Sequence, residues 1–284
     1  MFNLVLENKN GKRLTFGLES PFTVTEIQGL NPAPATLNMN EVALMDGVKF
    51  SSSKLKMRTI NVAFAIEYET AKNRIEVYKV LKPKQPIRLY YKGQYRDVFI
   101  DGYVESIDIT YFELVQIVTV AIQCPSPYLI GVDEASMVLN QIVSDFHAPF
   151  SSTESPQLVL SHVSSAVNFS IENDGDVDCG MVIEFFANAS VTNPKLINYE
   201  TLQFIGVDYS LQTDDLVTID TRQGHKTATL TRNGVTTNIF NYISEGSKWL
   251  QLPADGAVFV YSVGSGSYSD LSVTVRHNNL YEGV

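Results

Sequence analysis

The hydrophobic pattern is most regular at the start of the stretch from Lys54 to Tyr128. There, apolar residues alternate with polar or small ones, and a period of two is typical of a strand with one buried face. The alternating apolar residues are Ile60, Val62, Phe64, Ile66 and Tyr68. The next segment, Thr70–Leu81, has a helical period, and Pro83 marks its end. Its predicted apolar stripe consists of Ala71, Ile75, Tyr78 and Leu81. The pattern therefore predicts one strand followed by one amphipathic helix.

Three more alternating runs complete this stretch, around Ile87–Tyr91, Val98–Val104 and Val118–Cys124. It closes at Cys124–Tyr128, where two prolines prevent further pairing in a central strand. A strand, one helix and then more strands is typical of an α+β unit. We expect a mainly antiparallel sheet with a single covering helix.

The second half of the chain alternates throughout and has frequent turn signals, of which Asn233-Gly234 is the strongest. Short strands at this spacing predict a β-sandwich of the jelly-roll type. The expected strands are Val167–Ile171, Met181–Phe186, Thr201–Ile205, Leu216–Asp220, Thr227–Thr231, Ala257–Val263 and Leu271–Val275.

Length and charge both indicate two domains, because 284 residues exceed the size of most single domains. We expect a first domain over residues 1–131, a connecting segment over 132–156 that is rich in Ser and Pro, and a second domain over 157–284. The net charge of −10 divides into +2 for residues 1–131 and −12 for the remainder. Neither half has the one-sided basic patch of a nucleic-acid-binding domain. The sequence also shows no apolar run long enough for a membrane span and no secretory signal.

The segment from Pro21 to Lys54 breaks the regular pattern and predicts a long, partly irregular excursion. Excursions of this length in compact domains are commonly functional or interface loops. Its apolar side chains need a surface to bury against, either within the domain or on a neighbouring molecule. They are Leu30, Leu37, Met39, Val42, Leu44 and Met45.

Candidate chemistry is sparse. Cys124 and Cys179 lie in apolar segments and are expected to be buried free thiols, as in a protein made in a reducing compartment. The four histidines show no metal-ligand spacing and are expected to be surface or capping residues. The run Asp174–Asp178 lacks the Gly and Glu of a calcium loop.

Two further features remained as candidates. Asp214 and Asp215 are adjacent carboxylates, but a turn is the ordinary place for such a pair. The single tryptophan, Trp249, is expected to be a core residue rather than a sugar-stacking platform. We therefore predict no catalytic residues, no cofactor and no metal, and a binding or structural protein rather than an enzyme.

At the level of short motifs, the chain resembles the distal tail proteins of long-tailed, non-contractile phages, the hub-forming Sipho-tail family. The resemblance covers nearly the whole chain and rests on the order and spacing of the motifs. They are Lys56–Ile60, Val80–Pro83, Arg88–Tyr91, Cys124–Tyr128, Asn173–Asp176, Asn193-Pro194, Leu216–Thr221, Arg232–Gly234, Trp249–Leu252 and Tyr281–Val284.

The resemblance implies a first domain that assembles a hexameric ring and a galectin-like second domain that projects outward. The ring would join the tail tube protein to a tail-associated hub or lysin protein in the virion tail tip, after assembly in the cytoplasm of a bacterial host. Carried over by position, the ring-forming elements would include the excursion, the strand from Arg58 and the helix Thr70–Leu81. The implied interface residues are Leu30, Leu37, Met39, Leu44, Met45 and Arg58. The alternative is an accessory protein that binds host cell-wall carbohydrate through the sandwich.

Overall fold

The computed structural model describes residues 3–17, 20–41, 46–113, 115–139, 141–144, 161–164 and 168–284. The chain forms two compact units, one comprising Met1–Asp133 with Leu280–Val284 and the other Glu134–Asn279. The first unit runs to Asp133, whereas the expected first domain was residues 1–131. The return of residues 280–284 to the first unit was not predicted, because nothing in their local pattern distinguishes them from the end of a sandwich strand.

The first unit is an antiparallel sheet with one helix. Its strands run in the order β3-β6-β9-β8-β7-β1-β2, and the first residues of β10 also pair with β8. The elements are β1 (Asn3–Asn8), β2 (Arg13–Phe16), β3 (Phe22–Gln28), β4 (Ala35–Glu41), β5 (Val48–Leu55), β6 (Arg58–Ile66), α1 (Thr70–Val80), β7 (Pro86–Lys92), β8 (Asp97–Ile109), β9 (Gln116–Cys124) and β10 (Leu129–Val138).

Strand β6 is the regular strand of the sequence pattern, and its apolar positions are almost completely buried. It pairs with β9 along its whole length, from Arg58 opposite Cys124 to Ile66 opposite Gln116. The sheet bends so that Phe64 also meets Phe16 and Phe22, with ring centroids 4.9 and 5.7 Å away. The apolar face of β6 thus lies at the centre of the core. Tyr68, predicted on the same face, lies beyond the strand and is exposed.

Helix α1 occupies the predicted position but buries a different face. Its buried residues are Asn73, Val77 and Val80, whereas Ile75 and Tyr78 of the predicted stripe are exposed. Ala71 is exposed as well, and only Leu81, just beyond the helix, is in the core. Asn73 is buried because its side-chain amide donates a hydrogen bond to the carbonyl oxygen of Tyr68, at 2.6 Å. The helix carries two stripes at the same spacing, and the stripe with a polar member faces the sheet.

The expected connecting segment, 132–156, begins as a continuation of strand β10, which runs to Val138. Strands β11 (Gln141–Ser144) and β12 (Ser161–Ser164) pair with each other in antiparallel register. The Ser- and Pro-rich part of the predicted linker lies outside the described residues.

The second unit is a β-sandwich. One antiparallel sheet has the order β24-β14-β19-β20-β21, with β22 also paired to β14, and the other has the order β13-β23-β16-β17. A short pair, β15 and β18, completes the unit. The strands are β13 (Phe169–Ile171), β14 (Cys179–Ala187), β15 (Val191–Thr192), β16 (Lys195–Asn198), β17 (Phe204–Gly206), β18 (Ser210–Leu211), β19 (Leu216–Asp220), β20 (Thr227–Arg232), β21 (Val235–Asn238), β22 (Gln251–Leu252), β23 (Ala257–Ser262) and β24 (Leu271–Tyr281).

Alternation along these strands explains the sandwich. Ile183 and Phe185 of β14 and Val273 and Val275 of β24 are fully buried, and so is Phe259 of the other sheet. Asn233 and Gly234 both have positive φ in the turn between β20 and β21, as the hairpin signal predicted. The predicted fold class, a mainly β chain with an α+β first domain and a β-sandwich second domain, is confirmed. In the described residues, no helix is long and apolar enough to cross a membrane.

Candidate functional site

The excursion between β3 and β6 is an ordered β-hairpin. Strands β4 and β5 pair with each other from Ala35 opposite Leu55 to Glu41 opposite Val48, and they pair with no other described strand. The segment was predicted to be partly irregular; in its described part, residues 29–34 are irregular, whereas 35–41 and 48–55 form the hairpin. The alternation in β4 is short, and its partner strand β5 has three consecutive serines, Ser51–Ser53, in its middle, so the period-two signal is weak.

The two faces of this hairpin differ sharply. Residues that lie opposite one another in an antiparallel pair project to the same face. On one face, Asn38 and Asn40 donate side-chain hydrogen bonds of 2.8 Å to serine hydroxyls of β5. The other face holds four apolar side chains, each about half exposed, with Ser53 and Glu41 beside them; the four are Leu37, Met39, Val48 and Phe50. We call these four residues the hairpin face. A polar network on one side and uncovered apolar groups on the other is typical of a ribbon that binds another surface.

The base of the hairpin is held by Arg58, whose side chain is 1% exposed. Its Nη1 donates to the carbonyl oxygens of Gly29 and Asn31, at 2.6 and 2.7 Å. Its Nε donates to Pro127 at 2.9 Å and its Nη2 to Glu282 at 2.6 Å. Burial lowers the pKa of this guanidinium. Arg58 was expected at the ring interface, but the structure places it inside the first unit, where four carbonyl oxygens replace water around its charge.

The turn at the hairpin base leaves no room for a side chain on Gly29. This residue has φ +91, and a Cβ there would lie 2.1 Å from the carbonyl oxygen of Thr59. Leu30, which follows it, is half-buried and packs against the core of the first unit. Of the six predicted interface residues, Leu37 and Met39 are thus on the hairpin face, Leu30 and Arg58 are at its base, and Leu44 and Met45 lie outside the described residues.

Residues 280–284 pack against the same base. Arg96 donates to the carbonyl oxygen of Gly283 at 2.6 Å, and its guanidinium lies 4.4 Å from the ring centroid of Tyr281. In the sequence, only the motif Tyr281–Val284 points to this segment, and it carries no predicted role. The expected first domain, residues 1–131, omits these contacts, since a 1–131 fragment lacks the Glu282 acceptor of Arg58.

In the second unit, the two candidate carboxylates, Asp214 and Asp215, have different surroundings. Asp214 lies in a turn with φ 68, whereas Asp215 is 1% exposed. Arg232 donates to Asp215 through Nε at 2.8 Å, and this hydrogen bond lowers the pKa of the Asp215 carboxyl. The Gln212 backbone N–H also donates to Asp215, at 2.7 Å. An aspartate engaged in this way anchors a turn and is not available as a catalytic base.

Other candidate groups are also structural. Cys124 and Cys179 are buried free thiols, as predicted, and burial raises the pKa of each to about 12. His277 is buried on β24, contrary to the expectation of surface histidines, and burial lowers its pKa. His225 is exposed, and the side chains of His147 and His162 lie outside the described set. Across the described ranges, no group of three or more His, Cys, Asp or Glu side chains is placed to hold a metal ion.

Trp249 is not a core residue, contrary to the prediction. It is half-buried and stacks on Phe240, with ring centroids 5.6 Å apart and an interplanar angle of 27°. Lys226 Nζ lies 5.4 Å from the Trp249 ring centroid. Tyr242, in the same short 3₁₀ turn as Phe240, packs edge-on against Tyr209 at 4.9 Å. We call Phe240, Trp249, Tyr242 and Tyr209 the aromatic row; Phe240 and Tyr242 are 44% and 50% exposed.

Comparison with known families assigns both units. Residues 9–123 match the family described as phage tail protein RIFT-related domain, and residues 174–281 match the siphovirus-type tail component, C-terminal domain. No curated protein matches the chain in sequence.

Solved structures show the same fold over the full length. The chain is similar to the Dit protein of phage SPP1, described as a paradigm of the hub adsorption apparatus in phages that infect Gram-positive bacteria. That match has 14% identity, 99% coverage of both chains and a TM-score of 0.69. A chain in the phage P2 baseplate, in its activated conformation with Ca, matches with 10% identity, full coverage of both chains and a TM-score of 0.59. The corresponding baseplate structure with Sr gives 9% identity, full coverage and a TM-score of 0.55.

Proposed function

Because this chain belongs to the siphovirus distal tail protein family, a structural component of the phage tail, we propose that it closes into a hexameric ring at the tail tip. The ring continues the tail tube on one side and receives the tail-associated hub or lysin protein on the other. The distal tail adaptor therefore works by assembly, and the surfaces that matter are those that bind a second copy and the adjoining tail proteins.

The observation that carries this proposal is the hairpin face. Four apolar side chains project from a two-stranded ribbon that has no described partner strand, and the face behind them is polar, with two asparagine–serine hydrogen bonds across the strands. Water contact with such a face is unfavourable by roughly 25 cal/mol for each Å² of apolar area. In a closed ring, the hairpin face of every subunit is covered by a neighbouring subunit, because a head-to-tail interface that closes leaves no free end.

Mass measurement of the full chain under native conditions tests the ring. We expect a species of six protomers at high concentration, dissociating on dilution in the absence of the other tail proteins. A chain that remains a monomer at its highest soluble concentration would contradict the proposal.

We further propose that the protein has no catalytic activity. Of the adjacent carboxylates Asp214 and Asp215, the first is a turn residue and the second is ion-paired, and burial raises the pKa of the two thiols, Cys124 and Cys179, to about 12. Incubation with labelled peptidoglycan or teichoic acid is expected to release no label. Release that disappears in the Asp214→Asn variant would overturn this assignment.

The aromatic row supports a second candidate function, binding of a host cell-wall carbohydrate by the sandwich. Exposed aromatic rings bind the apolar faces of sugars, and Phe240 and Tyr242 are both open to solvent. The charge of −12 over residues 132–284 repels anionic polymers, so this candidate is a neutral saccharide. Calorimetry with neutral wall polysaccharide tests it. Binding that is lost in Phe240→Ala and kept in the control Val235→Ala would support it, and no binding by the unmodified chain would exclude it.

A further inference from the structure

The imidazole of His277 is buried in the sandwich of the second unit. It lies on β24, opposite Met181 of β14, and only 4% of the residue is exposed. Side chains alternate along a strand, so His277 projects to the same face as Val273 and Val275, which are fully buried. A titratable ring thus continues a row of apolar core positions.

The surroundings of the His277 ring suit its neutral form. The ring interacts with the Asn279 side chain and with the backbone of Glu172, at the start of the β13–β14 connection, residues 172–178. Its Nδ1 has no hydrogen-bond partner in the part of the chain that the structure describes. A neutral imidazole has one donor nitrogen and one acceptor nitrogen, whereas the protonated ring has two donors. Protonation would therefore bury a charge and leave the Nδ1–H donor without an acceptor, and both are costly.

The carboxylates that face His277 offset only part of this cost. Asp174, in the β13–β14 connection, and Glu134, on β10, both favour the charged ring. Asp174 is exposed, so water and salt screen its charge, and Glu134 already pairs with Arg276 at 3.4 Å. Burial outweighs the two carboxylates and lowers the pKa of His277. The second unit therefore folds around a histidine in its neutral form.

We propose that mild acid opens the second unit at this point, because a proton on His277 releases β24 from the β13–β14 connection. The connection is also held by the buried Asn173, whose amide donates to the carbonyl oxygens of Leu252 and Pro253 at 3.2 and 3.0 Å. Those amide hydrogen bonds do not titrate, whereas an imidazole changes its charge near neutral pH. The inference concerns the second unit alone and does not depend on the proposed ring.

The direction of the effect follows from the linkage between proton binding and folding. A histidine in the unfolded chain has a pKa of about 6.5, and burial holds the pKa of folded His277 below its ordinary value. As the pH falls through about 6.5, the unfolded chain binds the proton first, and the second unit loses stability until the pH reaches the folded value. One such proton raises the unfolding equilibrium constant by up to about tenfold for each pH unit. Carboxyl groups ordinarily titrate near pH 4, so their effect falls in a separate range.

Two histidine variants of the full-length chain test the proposal. His277→Gln replaces the imidazole by an amide that does not titrate, and His225→Gln is the matched control at an exposed position. In chemical denaturation from about pH 7.5 to about pH 5.5, we expect the second unit of the unmodified chain and of His225→Gln to lose stability. His277→Gln should lack this slope of up to about tenfold for each pH unit. Protection of residues 172–178 from hydrogen exchange should fall over the same range only in chains that keep His277.

An NMR titration of the unmodified chain gives a test that needs no variant. We expect the His277 ring to gain its proton below the ordinary pKa of about 6.5, and titration at the ordinary value would overturn the proposal. An identical pH dependence of stability in His277→Gln and the unmodified chain would overturn it as well. Unchanged exchange protection of residues 172–178 after protonation would show that the sandwich accommodates the charge without opening. If His277→Gln does not fold, the titration and the exchange measurement on the unmodified chain still decide the question.

Discussion

Replacement of Arg58 by methionine is the sharpest test of how the first unit holds its hairpin. The variant keeps an apolar stem of similar length but removes the guanidinium from its four carbonyl acceptors, at Gly29, Asn31, Pro127 and Glu282. These acceptors come from three distant parts of the chain, so a single side chain joins the hairpin base, the end of β9 and residues 280–284. Loss of the guanidinium should therefore loosen all three segments at once.

The magnitude follows from opposing contributions. Each hydrogen bond from a charged donor contributes about 1.5–3 kcal/mol, so four would give roughly 6–12 kcal/mol if they were independent. Removing a guanidinium from water costs several kcal/mol, and the variant does not incur that cost. The freed carbonyl groups also regain some contact with water. We expect a net loss of about 3 kcal/mol in the free energy of unfolding of the first unit, or roughly 10 °C in its Tm for a unit of this size.

Calorimetry and hydrogen exchange measure this effect. The transition of the first unit should move while that of the second unit stays in place, and exchange should rise in residues 28–32. Arg88→Met is the matched control, because Arg88 makes an equally well-formed pair with Asp101, at 2.6 and 2.8 Å, on the exposed surface. An exposed pair contributes about 1 kcal/mol or less. If Arg58→Met is no more destabilising than Arg88→Met, the role of Arg58 as the anchor of the hairpin base is refuted.

Three further outcomes are expected. Deleting residues 280–284 should lower the Tm of the first unit and weaken assembly, as observed by calorimetry and native mass, and an unchanged first transition would contradict this. Trp249→Ala should cost about 2 kcal/mol in chemical denaturation, less than the roughly 3–5 kcal/mol of a core tryptophan, because the ring is only half-buried. Asp215 has a lowered pKa in the folded state, so its contribution to stability is present above the ordinary aspartate pKa of about 4 and is lost as the pH falls through the folded value. Asp215→Asn should therefore flatten the acid limb of the stability curve of the second unit, and an unchanged limb would show that the pair with Arg232 is not linked to folding.

Local periodicity determined the elements of this protein well. The alternation from Ile60 to Ile66 corresponds to β6, the helical period from Thr70 corresponds to α1, and Asn233-Gly234 forms the predicted hairpin turn. Signals of this kind come from residues two to four positions apart, so they can be recognised in the sequence without knowledge of the rest of the fold. The order of elements then restricted the architecture to an α+β unit and a sandwich, and the order of the motifs indicated the family.

Only the tertiary structure decided which faces are covered. The helix has two stripes of equal spacing, and burial of Asn73 depends on the Tyr68 carbonyl oxygen, so hydrophobicity alone selected the wrong stripe. Arg58 belongs to the interior only because residues 29, 31, 127 and 282 converge on it. Trp249 is only half-buried, with its ring stacked on Phe240 and close to the Lys226 ammonium. Each of these outcomes depends on contacts with other segments of the chain. Such contacts produce no periodic pattern of residues, so the sequence pattern does not predict them.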